Sequence, residues 1–249
     1  MEFDTLNGFP IQHGIFTRHG GVSPEPWQSL NLGGTVGDTV QNTRENKRRL
    51  LESVSIPYDS VFDVWQVHSA DSIVAIKPRA MDEEHQKADI IVTNQPGLTL
   101  MMRFADCVSI LAYDPYHNAI GIGHAGWIGT GKDTAGALIR VMEKVFSSVP
   151  AELITAIGPS ICQKHYPVGD EVVEVFQKTL PGRENDLFYN SHGQSHLDLW
   201  NANRLLLERA GVQKIEIAGL CTVCQNADWY SHRKEKGKTG RFGALIRLS

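Results

Sequence analysis

Short apolar runs rich in β-branched residues recur along the chain and predict a protein with many strands. Glycine, proline, asparagine and aspartate separate the runs, and these residues favour turns. Strand-like segments are Gly14–Thr17, Val61–Val67, Ser72–Ile76, Ile90–Thr93, Leu98–Arg103, Val108–Tyr113, Ala119–Gly123, Leu153–Ile157, Ile215–Ala218 and Phe242–Leu248. Apolar residues at helical spacing predict a helix capped by Asp38-Thr39 and running through Val54, and further helices at Thr134–Val145, Val172–Leu180 and Trp200–Ala210.

The densest apolar stretch lies in the middle of the sequence and predicts a buried sheet. Between Leu98 and His124, three apolar runs follow one another with short turns at Ala105-Asp106 and Pro115–Asn118. Consecutive strands of one buried sheet have this pattern. Helical segments before and after it predict an α/β fold in which helices cover the sheet. Because no repeat or linker interrupts the chain, we expect a single domain over residues 1–249.

Composition narrows the class of protein. Hydrophobic residues make up 41% and charged residues 21% of the chain, as is typical of soluble globular proteins. The formal net charge of −4 offers no basic field for nucleic acid or an anionic membrane, and no apolar run approaches the roughly 18 residues of a membrane span. The first residues do not resemble a secretory signal, so we expect a cytoplasmic protein with reduced cysteines. No coiled-coil or exposed-edge pattern predicts assembly, so we expect a monomer.

Three candidate metal ligands occupy the same kind of position, a strand end beside a turn. His68 follows the run Val64–Val67, Cys107 lies between two apolar strands, and His124 ends the run Ile120–Gly123. Side chains from such positions can converge on one pocket. Two imidazoles and a thiolate suit zinc and leave a fourth tetrahedral position for water or substrate. The three residues match no compact zinc motif, so on spacing alone they also fit packed core positions.

Cys221-x-x-Cys224 looks more like a metal motif. A structural zinc site needs a second pair of ligands, and a thioredoxin-like motif needs the cysteine pair at the start of a helix. Here the pair leads into Gln225–Asp228, which reads as a loop. We therefore interpret Cys221 and Cys224 as two reduced cysteines in a turn.

Arginines beside glycine turns form a further group of candidates. Arg18 precedes Gly20-Gly21, while Arg233 and Arg241 bracket a charged loop. Arginine forks fit phosphate or carboxylate oxygens, and glycine lets the backbone approach a ligand closely. The alternative is that these arginines are ordinary surface residues. The glycine-rich stretch from Gly121 to Gly131 fits neither a Walker loop nor a dinucleotide-binding fingerprint.

Taken together, these segments resemble one family along nearly the whole chain. The residues that carry the resemblance are Thr17–Ser23, Asn31–Gly33, Val36–Asp38, Asn46, Gln66–His68, Ala88-Asp89, Ala105–Cys107, His124–Trp127, Gly158–Ile161, Tyr166, Val168-Gly169, Ser231–Arg233 and Thr239–Phe242. The family is variously called the laccase-domain, multicopper polyphenol oxidase, YfiH/YlmD-like or peptidoglycan-editing-factor family. Its members are also described as purine nucleoside phosphorylases.

The resemblance implies a fold, a metal site and an activity. The implied fold is a compact α/β sandwich with two sheets between helical layers (α/β/β/α). The implied metal, zinc in most descriptions and copper in others, is held by His68, Cys107 and His124. The implied activities are phosphorolysis of adenosine, inosine and 5′-methylthioadenosine, and deamination of adenosine. A purine nucleoside and phosphate are therefore the expected partners.

The chain departs from the family pattern at three positions. Ile128 stands where the family usually has arginine after His-Ala-Gly-Trp, Ser109 replaces a proline, and Lys47 replaces an arginine. The change at position 128 removes one candidate phosphate or oxyanion contact. The metal residues are unchanged, so metal binding is better supported than phosphorolysis.

The resemblance also suggests catalytic roles. For phosphorolysis we expect Arg18 and Arg241, with Arg233, to hold phosphate against the anomeric carbon. For deamination, hydroxide activated by zinc would attack C6 of adenine. Asp106 is the candidate acid/base, although in an extended strand it would point to the opposite face from Cys107.

Three alternative functions remain open: a copper-dependent polyphenol oxidase, an amidase that edits peptidoglycan precursors, and a non-catalytic binding module with a structural metal. Multicopper oxidases need many paired histidines, whereas this chain has one H-x₃-H pair, His192 and His196, in a predicted loop. A structural metal would require a fourth protein ligand, and none is evident from the sequence.

Overall fold

The computed structural model describes residues 1–80 and 82–249. In these residues the strands are β1 (Ile11–Ile15), β2 (Val61–Asp63), β3 (Ser72–Val74), β4 (Ile90–Thr93), β5 (Thr99–Phe104), β6 (Val108–Asp114), β7 (Ala119–Ala125), β8 (Ile154–Ile157), β9 (Pro167–Val168), β10 (Phe188–Ser191), β11 (Gln194–Leu197), β12 (Lys214–Ile217) and β13 (Phe242–Leu248). The α-helices are α1 (Val40–Ser53), α2 (Trp127–Gly131), α3 (Thr134–Phe146), α4 (Asp170–Thr179), α5 (Glu184–Leu187) and α6 (Leu199–Arg209). None of these helices could cross a bilayer, being too short or too polar.

The strands form two large sheets and one small sheet. Strands β1, β13, β5 and β2 form a four-stranded sheet in that order, and β12, β8, β6, β7, β4 and β3 form a six-stranded sheet. Strand β5 pairs antiparallel with β13 and parallel with β2, whereas β6 pairs antiparallel with both β7 and β8. A small antiparallel sheet consists of β10, β11 and β9.

Three buried apolar clusters show how the layers stack. One cluster packs α1 on the four-stranded sheet through Leu50, Leu51 and Leu245. A second lies between the two large sheets and includes Leu111 and Ile246. The third packs α3, α4 and α6 on the other face of the six-stranded sheet. The order helix, sheet, sheet, helices confirms the expected α/β/β/α sandwich.

Strand β6 shows why the central strands are apolar at every position. Ile110 and Ala112 belong to the cluster on the helix side, whereas Leu111 and Tyr113 belong to the cluster between the sheets. Successive side chains alternate between the faces of a strand, so a strand covered on both faces needs apolar residues throughout. Each large side chain buried in this way contributes about 1.5–3 kcal/mol.

Each predicted strand and helix has a counterpart in the structure. Strand β1 begins at Ile11, earlier than predicted, and Thr39 caps α1 by accepting a hydrogen bond from Asn42 N at 3.1 Å. The sequence did not predict α2, α5 or the small sheet. Strands β10 and β11 were not predicted because much of the hairpin that they form is polar and exposed. The loop prediction for the H-x₃-H pair is wrong for His196, which lies on β11, whereas His192 lies in the hairpin turn.

Two crossings between the large sheets leave the sandwich at the same edge. Residues 64–71 connect β2 to β3, and residues 105–107 connect β5 to β6, each time from the four-stranded to the six-stranded sheet. Because β2 and β5 are parallel neighbours, both crossings begin on one side. The Gln66 side chain continues the pairing of β2 with β5 beyond the end of β2. Its amide oxygen accepts a hydrogen bond from Arg103 N at 2.9 Å, and its amide nitrogen donates to Arg103 O at 2.8 Å. These crossings carry two of the three candidate metal ligands.

Candidate metal centre and its cavity

His68, Cys107 and His124 lie together at this edge of the sandwich. Their candidate ligand atoms, the imidazole nitrogens and Cys107 Sγ, are all within 4.8 Å of one another. The two imidazole rings meet edge to face, with centroids 4.9 Å apart and an interplanar angle of 69°. His68 and Cys107 come from the two crossings, whereas His124 lies near the end of β7. The structure therefore brings together the three side chains that their strand-end positions singled out.

Asp89 fixes the position of both histidines. Its Oδ1 atom lies 2.7 Å from His124 Nδ1, so the Nε2 atom of that ring is free to face the cluster. Its Oδ2 atom accepts hydrogen bonds from Val67 N at 3.1 Å and Ser69 N at 2.6 Å, on either side of His68. A carboxylate that orients a ligating imidazole in this way is typical of metal sites in proteins.

Electrostatics favours the thiolate form of Cys107. Burial opposes ionisation of the thiol, but the His124 and His68 imidazoles outweigh burial and lower the pKa of Cys107 to about 6. Burial also disfavours a charged His124, but the Cys107 thiolate and Asp89 raise the pKa of this imidazole to about 9. The pKa of Asp89 is lowered to about 2, because hydrogen bonds from His124 and Ser69 outweigh its burial. The thiolate is the form of cysteine that binds metal.

Gly126 leaves room for the cluster. A Cβ atom at this position would lie 2.7 Å from Cys107 Sγ and 3.3 Å from His68 Cδ2. The backbone of Gly126 is extended, with φ of −75° and ψ of −178°, so its conformation does not itself require glycine. The close approach of the two side chains is what excludes a larger residue.

A cavity of about 630 Å³ opens beside the three side chains. Small-molecule sites in proteins span about 300–1,000 Å³, so a nucleoside-sized ligand fits. The cavity wall combines aromatic, cationic and acidic side chains, including Trp65, Trp127, Tyr166, Arg103, Arg233, Arg241 and Asp106.

Asp106 lines this cavity together with Cys107, and its backbone does not have the extended conformation on which the expected opposite orientation depended. That expectation assumed an extended strand, but Asp106 has a φ of +79°, in the left-handed region. The carboxylate accepts hydrogen bonds from Thr222 Oγ1 at 2.6 Å and from Arg233 N at 2.7 Å. These two contacts hold the turn so that neighbouring residues face the same space.

Arg241 and Arg233 line the cavity in different ways. Arg241 donates from Nη1 to the carbonyls of Thr239 and Gly240, and within the described residues no carboxylate lies in salt-bridge range of its guanidinium. Burial lowers the pKa of Arg241. The Arg233 guanidinium lies 5.1 Å from the centre of the Tyr166 ring and donates to Pro167 O at 3.1 Å.

Arg18 lies outside the residues that line the cavity. Its guanidinium pairs with Glu235 at 3.0 Å, donates to the carbonyls of Gln28 and Asn226, and lies 4.4 Å from the centre of the Tyr230 ring. Glu235 in turn accepts hydrogen bonds from the loop that carries Arg233 and leads to Arg241. The structure thus links Arg18 to the cavity through this loop.

The departures from the family pattern lie at different distances from the cluster. Ile128 is in the first turn of α2, and only its neighbour Trp127 lines the cavity. Ser109 pairs with His124 across β6 and β7, and a Cβ atom at Gly158 would lie 2.2 Å from its hydroxyl. Lys47 Nζ lies 3.7 Å from an oxygen of Asp63, which also pairs with Arg79.

Sequence reasoning did not assign a role to Asp89. The signals were its place in the Ala88-Asp89 motif of the family resemblance and its position directly before the apolar strand Ile90–Thr93, where the carboxylate is fully buried in the structure. Buried carboxylates require partners. Those partners come from residues 67–69 and 124, which only the fold brings together.

The chain is similar to a family of known proteins and to solved structures. The family model described as multi-copper polyphenol oxidoreductase laccase matches residues 12–249. Purine nucleoside phosphorylase YlmD of Geobacillus stearothermophilus is 37% identical over 243 residues, covering 94% of this chain and 88% of its own sequence. A purine nucleoside phosphorylase of Deinococcus radiodurans is 35% identical over 242 residues, covering 96% and 89%.

Solved structures of similar proteins share the fold. The crystal structure of YlmD from Geobacillus stearothermophilus has a TM-score of 0.93 at 36% identity and covers 99% of this chain and 94% of its own. The crystal structure of the Bacillus licheniformis hypothetical protein YfiH has a TM-score of 0.92 at 31% identity and covers 96% and 93%. The fold, the sequence motifs found in the same order along the chain, and these matches all indicate the same family. The chain belongs to the laccase-domain family that includes the YlmD and YfiH proteins.

Proposed function

We propose that this protein is a zinc-dependent purine nucleoside phosphorylase that also deaminates adenosine and phosphorolyses 5′-methylthioadenosine. One observation carries the proposal: the cluster of His68, Cys107 and His124 shares a nucleoside-sized cavity with Arg241. Relatives named purine nucleoside phosphorylase, which match nearly the whole chain, support it.

The donor set of the cluster fits zinc. Two imidazoles and one thiolate are three of the ligand types that zinc prefers, and Asp89 already orients His124 through Nδ1. We therefore assign His68, Cys107 and His124 as the metal ligands. Bound zinc supplies Lewis acidity and activates water near neutral pH. Three protein ligands leave one position accessible, as in catalytic sites.

The arginines supply a site for phosphate. In the described part of the chain, only Nη1 of Arg241 has a hydrogen-bonded protein acceptor, so Nε and Nη2 can form a fork for phosphate oxygens. Arg233 adds a second positive charge from the same loop. Arg18 acts as a positioning residue, because its ion pair with Glu235 holds that loop. Phosphate held in this way attacks the anomeric carbon as charge develops on the departing base.

Aromatic side chains supply a site for the purine. Trp65, Trp127 and Tyr166 line the same cavity, and Trp65 is half exposed at its wall. Stacking of a base on an aromatic ring contributes about 1–3 kcal/mol. We propose that these rings bind the base, while the arginines bind phosphate.

Asp106 is the proposed proton-transfer residue for deamination. Asp106 lines the cavity, and its carboxylate accepts hydrogen bonds from Thr222 Oγ1 and Arg233 N. These donors fix the carboxylate, which takes up a proton and returns it to the leaving ammonia.

A chromatographic assay with metal analysis tests the proposal. Adenosine should yield adenine and ribose 1-phosphate only when phosphate is present, and inosine whether or not phosphate is present. Protein purified without added metal should contain zinc, and His124→Ala should abolish both reactions while leaving the circular dichroism spectrum unchanged. Full turnover by His124→Ala, or no conversion of nucleoside by zinc-loaded wild type, would contradict the proposal.

Copper-dependent oxidation of phenols is the second candidate, because the matching family model carries that description. A blue-copper site also uses two histidines and one cysteine, with a weak axial ligand. Multicopper oxidases need several further histidines, whereas in residues 1–80 and 82–249 the second group of ligand-type side chains contains a single histidine. Oxidation of a phenol by copper-loaded protein, with no conversion of nucleosides, would favour this alternative.

A further inference from the structure

A second group of metal-ligand side chains lies apart from the three residues of the candidate metal centre. Cys162, His165, Cys221 and Cys224 place three sulfurs and one imidazole nitrogen within 4.8 Å of one another. The sequence pattern suggested two reduced cysteines in a turn, because Cys221-x-x-Cys224 has no partner pair nearby in sequence. The fold provides that pair as Cys162-x-x-His165, about sixty residues earlier.

The topology of the six-stranded sheet explains why Cys162-x-x-His165 and Cys221-x-x-Cys224 lie side by side. Strands β8 and β12 are parallel neighbours, so the segments that follow them leave the same edge of the sheet. A backbone bridge between Ser160 and Cys221 keeps the two segments side by side. Cys162 and His165 lie at the two ends of a single 3₁₀ turn, whereas Cys221 directly precedes the facing turn and Cys224 lies within it.

The distances from His165 Nδ1 to the three sulfurs fit tetrahedral coordination of one metal ion better than they fit separate hydrogen bonds. His165 Nδ1 lies 3.4 Å from Cys162 Sγ, 3.5 Å from Cys224 Sγ and 3.8 Å from Cys221 Sγ. One ring N–H can donate to one of these sulfurs, not to all three. Zinc bonded to sulfur at about 2.3 Å and to nitrogen at about 2.0–2.1 Å sets a sulfur–nitrogen separation of about 3.6 Å in a tetrahedral site.

The backbone around the group also suits thiolates. Cys221 Sγ accepts hydrogen bonds from Cys162 N at 3.4 Å and from Cys224 N at 3.5 Å. Such N–H donors stabilise negative charge on a ligating sulfur and fix its orientation. Cys221 is buried and Cys224 is exposed, so a metal ion can enter from the solvent side.

We propose that Cys162, His165, Cys221 and Cys224 bind a second zinc ion, in a structural site distinct from the candidate metal centre. Three thiolates and an imidazole are a donor set that selects zinc, and four protein ligands leave no position for substrate. Binding releases the thiol protons to solvent. This proposal does not depend on the proposed function.

The proposed second site lies directly beside residues that form one wall of the cavity. Tyr166 directly follows His165 and lines the cavity, while Thr222 directly follows Cys221 and donates to Asp106. An ion held by the four side chains therefore fixes two segments that supply one wall of the cavity. Its loss would loosen that wall without removing any ligand of the candidate metal centre.

Metal counting on the full chain tests the proposal. Wild-type protein purified in zinc-containing medium should hold two zinc ions per chain, and Cys162→Ser and Cys224→Ser should each lose one. Cys224 is exposed, so its replacement keeps the test available if the Cys162 variant does not fold. Lys164→Ala is the matched control, because Lys164 is exposed in the same turn and has no ligand atom in the group; it should retain both ions.

X-ray absorption spectroscopy identifies the ligands. In His124→Ala, the remaining zinc should show about three sulfur and one nitrogen neighbours at the bond lengths of a structural site. Full zinc content in both cysteine variants would overturn the proposal. So would a disulfide among Cys162, Cys221 and Cys224, detected by mass spectrometry after alkylation of freshly purified protein.

Discussion

Asp89 is the single residue on which most of the candidate centre's geometry depends. One oxygen holds His124, and the other holds the backbone on both sides of His68. Its main-chain carbonyl also accepts from His124 N at 2.8 Å. The carboxylate therefore sets the orientation of one candidate ligand and the path of the chain around another.

Asp89→Asn should weaken zinc binding by about 10–100-fold, because an amide cannot supply both acceptors and the negative charge that supports the imidazole. Competition with a chromophoric chelator measures this affinity. Asp114→Asn is the matched control, since Asp114 is also buried and also holds a histidine, His117, at 2.8 Å outside the cavity. Equal zinc affinity in Asp89→Asn and wild type would contradict the prediction.

Arg241→Lys should raise the KM for phosphate by about tenfold or more, because lysine keeps the charge but loses the planar fork. The KM for the nucleoside should change far less. Steady-state phosphorolysis at varied phosphate measures both. Arg247→Lys, at the other end of β13, is the control and should leave both constants unchanged.

Residue-level chemistry was only partly predictable from the sequence. His68, Cys107 and His124 were candidates because strand ends are recognisable in a single sequence, whereas their assignment as metal ligands came from the family resemblance. The orientation of Asp106 was not predictable, because it depends on a left-handed backbone that Thr222 and Arg233 hold from distant segments. The hydrogen-bond partners of Asp89 were likewise not predictable, because they come from segments that are distant in the sequence.

Among the secondary-structure elements, the segment from Gly126 into α2 determines how closely the candidate ligands approach. The turn must pass beside Cys107 and His68 before the helix begins. A helix start this close to two side chains has no space for a methyl group.

Gly126→Ala should lower zinc affinity by at least about tenfold, because the added Cβ would displace Cys107 Sγ. Gly123→Ala on β7 is the matched control, since its Cβ would make an ordinary contact of 3.5 Å with Leu138. Zinc content after dialysis against a chelator separates the two variants. Retention of zinc by Gly126→Ala at the wild-type level would show that the turn can shift.

The elements that the sequence predicted are those with strong apolar patterns. Strands β4 to β8 are buried and helix α3 buries one face, so packing requires the apolar patterns that identify them in the sequence. The hairpin of β10 and β11 is held by backbone pairing and carries few apolar residues. Nothing in its local composition separates it from a loop.

At the scale of the whole molecule, a buried ion cluster joins α1 to the four-stranded sheet. Asp63 pairs with Arg79 at 2.8 Å, with Arg103 at 3.2 Å and with Lys47 at 3.7 Å. Burial opposes ionisation of Asp63, but His85, Arg103 and Lys47 outweigh it and hold its pKa well below the usual range. The folded protein therefore keeps this carboxylate ionised at pH values where the unfolded chain binds a proton.

The stability conferred by Asp63 should be complete above about pH 4 and should decrease as the pH falls further, because the unfolded carboxyl is protonated first. Asp63→Asn should lower the free energy of unfolding by about 3–5 kcal/mol near neutral pH and reduce this acid dependence. Urea unfolding of chelator-treated protein across this pH range measures both effects. Asp59→Asn, at an exposed site, should match wild type throughout.

The cluster of His68, Cys107 and His124 lies where the chain passes between the two large sheets. Two of its members lie on chain crossings, and the third lies on the six-stranded sheet. Any change in how the two sheets pack would move the two crossings relative to His124 on β7. The cluster therefore depends on the packed sandwich, and we expect a partly folded chain to lose zinc from this position.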